Sequence, residues 1–319
     1  MKRRVFVSSA AAMLAALPAA AQSYPTRPVR LIVPYQAGQG TDVAARYFAE
    51  RLSKSLGQQF VVDNRPGAGG NIGTEAVAHA TPDGYTLLMG TNATQTMNEF
   101  LYASTGYDAV KDFAPVVLVG MLPMVIAANP GFAPNTIQDL VAAAKLQPDK
   151  INVALPSTSA RVIFEFFKER SGAPLFPVPY KGSGTAMTEV MGGQVQLIID
   201  TATALRGHVT SGKLKALAIT ALKSGELLPG VKSVAEQGVP DFEMTPWAAL
   251  YAPHGTPKEI VDRLNAEVMK VLAEPEARQK LLSLGFEPAG GTPDQLAAFE
   301  KTERAKWGPL IKAAGLKGD

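Results

Sequence analysis

Leu31-Ile-Val-Pro-Tyr-Gln-Ala-Gly-Gln-Gly-Thr-Asp42, running on into Val43-Ala-Ala-Arg-Tyr-Phe-Ala-Glu-Arg-Leu52, reads as a strand, a turn and a helix. Leu31, Ile32 and Val33 form a short apolar run suited to a buried strand. Gly38 and Gly40 allow a tight turn or a close backbone approach. Thr41 or Asp42 is the expected N-cap. Val43, Phe48, Leu52 and Leu56, with Ala44 and Tyr47, then give a helical apolar stripe. A turn of this kind aims free backbone N–H groups at one point, and the helix dipole adds partial positive charge there. A small anion is the natural guest. An ordinary first β–α turn of an α/β domain would read the same way.

The alternation continues outward from this stretch. Gln59-Phe-Val-Val-Asp63 is a second strand, and a glycine loop over 64–73 leads into a helix over 74–79. Residues 85–89 form a third strand, followed by a polar loop, Thr91-Asn-Ala-Thr-Gln-Thr-Met-Asn98, in which Asn92 and Thr94 are candidate ligand contacts. The loops at 35–42, 64–73 and 91–98 would stand together at the carboxyl edge of a parallel sheet, where ligands gather. Segments 116–119 and 124–128 are strand-like, and 136–145 is helical. Asn152-Val-Ala-Leu155 is a strand that ends in Pro156-Ser-Thr-Ser-Ala-Arg161 and a helix over 162–170. The opening device is thus repeated, with Ser157, Thr158 and Ser159 in the turn and Arg161 starting the helix. Pro177-Val-Pro-Tyr180 is extended, and Lys181-Gly-Ser-Gly184 opens another helix with Ser183 as its cap. A strand over 194–200 ends in Asp200-Thr-Ala-Thr203. Strands over 215–220 and 246–251 and helices from 257 to about 312 complete the chain. This alternation argues for a doubly wound α/β protein. The two anion-type turns could face each other across a cleft between lobes.

The chain has 319 residues, enough for two domains. Met1-Lys-Arg-Arg4, the apolar run to Leu17 and Pro18-Ala-Ala-Ala21 read as a secretory signal peptide over 1–21, for the Sec or the twin-arginine route. Its removal takes three cations and no acid, so the formal charge of +3 becomes zero and gives no support to nucleic-acid binding. With no cysteine, disulfides, thiolate catalysis and a lipoprotein anchor are ruled out. The expected product is soluble outside the cytoplasmic membrane, in the periplasm.

Motifs for other chemistries fall short. Gly67-Ala-Gly-Gly-Asn-Ile-Gly73 is off by one from the dinucleotide fingerprint, and no Walker pattern occurs. His79, His208 and His254 have no metal-ligand spacing, and no Gly-x-Ser-x-Gly elbow is present. Neither a metal nor a cofactor is expected. Asp42 and Asp200 read either as paired carboxylates for acid–base work or as a helix cap and a strand-end acceptor.

The chain resembles the extracytoplasmic solute receptors of tripartite tricarboxylate transporters, the Bug or TctC family. The resemblance rests on Pro34-Tyr-Gln-Ala-Gly-Gln-Gly-Thr-Asp42, Asn64-Arg-Pro-Gly-Ala-Gly-Gly-Asn-Ile-Gly73, Pro82-Asp-Gly-Tyr-Thr-Leu-Leu88, Tyr107-Asp-Ala-Val-Lys-Asp-Phe113, Val178-Pro-Tyr-Lys-Gly-Ser-Gly184 and Gly192-Gly-Gln-Val-Gln-Leu-Ile-Ile-Asp200. It implies an α/β, two-lobed periplasmic binding protein of the type II, Venus-flytrap kind, each lobe a doubly wound sheet flanked by helices. Lobe one would comprise 22–120 and 248–319, lobe two 121–247, with hinge crossings near 116–124 and 245–251. It further implies a monomeric, non-enzymatic receptor that closes on a small carboxylate and hands it to integral-membrane transporter subunits. The expected ligand contacts are Tyr35, Gln36, Ala37, Gly38, Gln39, Gly40, Thr41, Asp42, Asn92, Thr94, Ser157, Thr158, Ser159, Arg161, Tyr180, Asp200 and Thr201. Two departures from the family pattern stand out: Ala37-Gly-Gln-Gly40 in place of Pro-Gly-Gly, and Arg161 where the second turn usually ends in His.

A secreted hydrolase or lyase using Asp42, Asp200 or a histidine is the alternative of a different class, and a sensor subunit for a membrane kinase is a third. Arg161 is the most specific expectation. A cation at a helix N-terminus opposes the dipole, and a bound carboxylate would compensate through the guanidinium fork. Otherwise Arg161 would face solvent or pair with Glu165.

Overall fold

The computed structural model describes residues 24–223 and 225–318; the signal peptide reading falls outside them. β1 (Val29–Val33), α1 (Gly40–Leu56), β2 (Phe60–Asn64), α2 (Asn71–Ala78), β3 (Thr86–Thr91), α3 (Asn98–Leu101) and β4 (Phe113–Met121) come first. The chain then enters β5 (Met124–Ala128), α4 (Ile137–Leu146), β6 (Asn152–Leu155), α5 (Thr158–Ser171), β7 (Phe176–Pro179), α6 (Ser183–Met191), β8 (Leu197–Thr201), α7 (Ala202–Thr210) and β9 (Lys215–Ile219). It returns through β10 (Trp247–Pro253), α8 (Lys258–Ala273), α9 (Pro275–Ser283), β11 (Glu287–Pro288) and α10 (Pro293–Ala313).

These elements build two sheets, one ordered β11-β4-β10-β3-β1-β2 and the other β7-β6-β8-β5-β9, each flanked by helices. The result is a two-lobed α/β fold. Both sheets are mixed rather than wholly parallel. β1, β2 and β3 pair in parallel, whereas β10 lies antiparallel to β3 and β4, and β5 antiparallel to β8 and β9. Apart from the short β11, which also runs antiparallel to β4, the antiparallel pairings involve strands next to the passages between sheets, where the chain arrives without a β–α–β crossover. The first passage is only Leu122 and Pro123; the second runs over 220–246. They touch, because Leu122 N donates to Pro246 O at 2.7 Å.

Periodicity explains the packing. On α1 the buried positions are Ala44, Ala45, Phe48, Ala49 and Leu52, one face of a helix, and they meet Leu31, Val33, Leu87 and Leu250 of the sheet. Burying one such Phe or Leu contributes roughly 1.5–3 kcal/mol. Around the second sheet, Phe164 and Phe167 of α5 join Ile126, Leu155 and Ile199. Ala93, Met97, Leu101, Trp307 and Ile311 share that cluster, so the C-terminal helix packs beyond its own sheet. Glu303 on the same helix accepts both indoles, from Trp247 at 3.0 Å and Trp307 at 2.7 Å.

Three local expectations change. Residues 91–98 are not an open loop: Ala93–Met97 form one turn of π-helix that runs into α3, and every residue from Thr91 to Asn98 is buried. The polar side chains bond within the turn, Thr96 Oγ1 to Asn92 O at 2.7 Å and Thr91 N to Thr94 Oγ1 at 3.1 Å. α5 begins at Thr158, four residues before the expected start, because Ser157 caps it by accepting from Ala160 N at 3.2 Å. Ser183 does not cap α6; Gly182 holds that position and Ser183 is the first helical residue.

Candidate functional site

The strand–turn–helix at 31–52 delivers its turn to the junction of the two sheets. Gln39, not Thr41 or Asp42, is the N-cap of α1. Asp42 sits in the first turn and reaches backwards. Its Oδ2 accepts from Gly38 N at 2.9 Å and from Arg46 Nε at 3.0 Å, and its Oδ1 accepts from Asn64 Nδ2 at 2.9 Å. The bond from Gly38 N, one residue before the N-cap, ties the turn to the first helical turn and fixes its shape. Burial acts to raise the Asp42 pKa, but the bonds from Arg46, Gly38 and Asn64 prevail and hold it below the usual carboxylate value. Gly38 needs its glycine, at φ +85°. Gly40 needs it for a different reason: a Cβ there would lie 2.9 Å from Thr201 Oγ1 and 3.0 Å from Leu122 Cδ2. Thr201 ends β8 in the other sheet, so the two lobes approach through this missing side chain.

A cavity of about 40 Å³ lies at this junction, lined from the first lobe by Tyr35, Gln39, Gly40, Thr41, Thr91 and Asn92, and from the second by Ser157, Ser159, Asp200 and Thr201. Leu122, Met124, Pro246 and Trp247, at or beside the passages, complete it. The N-termini of α1, a helix of 17 residues, and α5, one of 14, both meet it. The N–H groups of Gly40 and Thr41, and of Thr158 and Ser159, occupy the first helical positions, which have no intrahelical acceptor. Contacts bridge the lobes here: Ser159 Oγ donates to Asn92 Oδ1 at 3.2 Å, and Gln39 Nε2 to Pro156 O at 3.3 Å.

A larger cavity of about 500 Å³ shares Tyr35, Gln39 and Ser157 with the first. It opens outward past Gln36, the glycine loop 67–70, Tyr102, Thr158, Arg161, Tyr180 and Lys181. Tyr180 OH donates to Glu189 there.

The expected contacts therefore divide. Tyr35, Gln39, Gly40, Thr41, Asn92, Ser157, Ser159, Asp200 and Thr201 line the inner cavity, and Gln36, Thr158, Arg161 and Tyr180 line the outer one. Ala37, Gly38, Asp42 and Thr94 line neither. Arg161 is the fourth residue of α5 rather than its first. It donates to Lys317 O at 3.2 Å, so the C-terminal segment meets the guanidinium. Leu122, Met124, Thr91, Pro246 and Trp247 lie outside the sequence expectation. Thr91 ends β3 at the start of the expected polar loop, and the place of the other four follows from the passages between sheets, a long-range feature with no local motif.

Among the described residues, Asp200 is the only acid lining the inner cavity, and no Arg, Lys or His joins it there. The carboxylate is 3% exposed. Its Oδ1 accepts from Thr201 N at 2.7 Å, but its Oδ2 has no hydrogen-bond partner. Burial pushes its pKa up to about 6, against the opposing pull of Ser183 and Thr201. Asp42 and Asp200 are not assembled as an acid–base pair, since Asp42 is committed to its own turn. None of the three histidines lines either cavity, and the described residues hold no cluster of three potential metal ligands.

The sequence model described as tripartite tricarboxylate transporter family receptor, TctC, matches residues 44–316. The chain belongs to this family. Its structure is similar to that of Rpa4515 from R. palustris with adipate, at 35% identity and TM-score 0.89, covering 92% of this chain and 99% of that one. It is also similar to the periplasmic binding protein BugD, at 38% identity and TM-score 0.85 with the same coverages. MatC from Rhodopseudomonas palustris, with bound malate, matches at 31% identity and TM-score 0.83, covering 90% of this chain and all of that one. This TctC-family chain thus shares the two-lobed architecture of periplasmic solute receptors, with its cavity at the sheet junction.

Proposed function

We propose that this TctC-family chain is a periplasmic receptor that binds a small organic carboxylate between its lobes and delivers it to tripartite-type membrane transporter subunits, without chemical turnover. The observation that carries the reading is the convergence of the α1 and α5 N-termini, from different sheets, on one cavity. Two sets of orphan N–H groups and two positive dipole ends favour a carboxylate. The adipate and malate bound by Rpa4515 and MatC are of that class. The ligand would sit against the inner-cavity residues, with Gln36, Thr158, Arg161 and Tyr180 meeting any part that extends outward. The lobes would be 22–120 with 248–319, and 121–247, hinged where Leu122 meets Pro246. Export through residues 1–21 would place the monomeric receptor in the periplasm, in keeping with the finding that no helix among the described residues is long and apolar enough to cross a membrane.

A thermal-shift screen of carboxylates on protein refolded free of ligand tests the reading. A ligand at 100 times its dissociation constant adds about 2.7 kcal/mol of stability. No shift from any mono-, di- or tricarboxylate would refute it, and NMR of the small molecule after incubation checks that the ligand leaves unchanged.

A further inference from the structure

The inner cavity is charged in a way that anion binding alone does not explain. Two helix N-termini present partial positive charge, yet the one acidic or basic side chain among the described residues of the lining, apart from the Tyr35 phenol, is a carboxylate. Asp200 is buried, lines the cavity, and leaves Oδ2 without a hydrogen bond. An unpartnered buried acceptor is rare in folded proteins and calls for a partner. The Ser183 hydroxyl is close enough to draw the Asp200 pKa down, yet neither it nor Oδ2 makes a hydrogen bond of normal geometry among the described residues. No cation lines the cavity to screen Asp200 from a second negative group.

We infer that the ligand carries a hydrogen-bond donor, a hydroxyl or an amine, close to its carboxylate, and that Asp200 accepts from that donor. The inference rests on the carboxylate-receptor reading and narrows it to hydroxy- and amino-carboxylates. The geometry assigns the two ends of such a ligand. Its carboxylate meets the N–H groups at Gly40, Thr41 and Ser159. Its donor turns to Asp200 Oδ2 on the β8 side. A plain diacid would leave Oδ2 unpaired or set a second carboxylate against it, and both arrangements are unfavourable. A cavity of about 40 Å³ has room for a functional group and its neighbouring carbon rather than for a whole diacid, and the remainder would extend past Tyr35 and Gln39 into the outer cavity.

Calorimetry on refolded protein with three matched series tests this: succinate, malate and aspartate; glutarate, 2-hydroxyglutarate and glutamate; adipate, 2-hydroxyadipate and 2-aminoadipate. In the chain length that binds best, a donor-bearing member binds at least ten-fold more tightly than the plain diacid. Asp200→Asn, checked for folding by circular dichroism, weakens an amino member at least ten-fold and narrows the gap to the plain diacid. A plain diacid that binds as tightly as both of its donor-bearing partners overturns the inference and leaves the receptor reading standing; Asp200 would then be satisfied by Ser183 or a water. Unchanged ranking in Asp200→Asn also overturns it. Silence of all nine compounds overturns the inference together with the reading beneath it.

Discussion

Replacing Gly40 with alanine separates ligand binding from folding. The φ of Gly40 lies outside the left-handed region and it opens α1, so alanine is locally compatible. Such a change stabilises a chain by about 0.4–1 kcal/mol, chiefly by restricting the unfolded state. The new methyl group would, however, stand 2.9 Å from Thr201 Oγ1 and 3.0 Å from Leu122 Cδ2, closer than side-chain atoms normally approach. Overpacking of this size costs roughly 1–3 kcal/mol. Thr201 belongs to the other lobe, so opening the lobes relieves the clash. The penalty then falls on the closed state, and apparent affinity drops about 5- to 150-fold as the competent fraction shrinks. Calorimetry would read the affinity, thermal unfolding of ligand-free protein the stability, and small-angle scattering the radius of gyration with ligand. The expected result is weaker binding, a Tm equal to or above that of the parent, and less compaction at matched ligand. Parental affinity in Gly40→Ala would show that this contact does not limit closure, and a large fall in Tm would place the clash within the fold rather than between the lobes.

Two further outcomes follow from charged groups. Arg161→Ala should leave affinity for four-carbon acids within two-fold, since Arg161 lines the outer cavity and not the inner one, and should weaken six-carbon or longer diacids by about 1.5–3 kcal/mol, the range for a hydrogen bond to a charged group; equal loss at every chain length by calorimetry would reject this division. Asp200 gives a pH signature in the ligand-free protein. Burial raises its folded-state pKa from 3.8 to about 6, so between those values the folded state binds more protons than the unfolded state. This contribution is present below about pH 4 and is lost as pH rises through 6, a swing of about 3 kcal/mol. Denaturant melts at pH 4 and pH 7.5 should therefore show Asp200→Asn gaining on the parent by that order as pH rises; a difference independent of pH would mean that Asp200 is not held as described.

The elements that could be read from sequence were those whose information is local. The run Leu31–Val33, the stripe through Phe48 and Leu52, and the glycines at 38 and 40 each state their structure within a few residues. The ordered polar turn at Thr91–Asn98 could not be read that way, because Thr and Asn have low helix propensity and the buried π-turn depends on hydrogen bonds within it and to distant residues such as Asn71, Tyr107 and Ser159. The start of α5 was hidden for the same reason, since Pro156-Ser-Thr-Ser159 has the composition of a loop until Ser157 is seen to cap. Asp42 shows how little separates two roles: one helical position moves it from the cavity edge to the buttress beneath the turn. The floor of the site, Leu122, Met124, Pro246 and Trp247, has no local signature at all. Its residues are assembled by two passages between sheets, distant in the chain and joined by the hydrogen bond from Leu122 to Pro246.

The division of labour in the cavity follows from the same contrast. Helix N-termini attract any carboxylate of suitable size, because their partial charges belong to the backbone and differ little between sequences. Discrimination needs a group that penalises the wrong ligand, and a buried acceptor lacking a partner does that more strongly than an added attraction would. Arg161, which the sequence offers as a fork for the ligand carboxylate, lies at the outer cavity with Lys317 O as a partner. Asp200, which the sequence reads either as half of an acid–base pair or as a strand-end acceptor, is the one carboxylate among the described residues of the inner cavity, and its Oδ2 opposes a bare anion. In the proposed receptor, attraction would therefore be general and carried by the main chain, whereas selectivity would rest on a single side-chain oxygen.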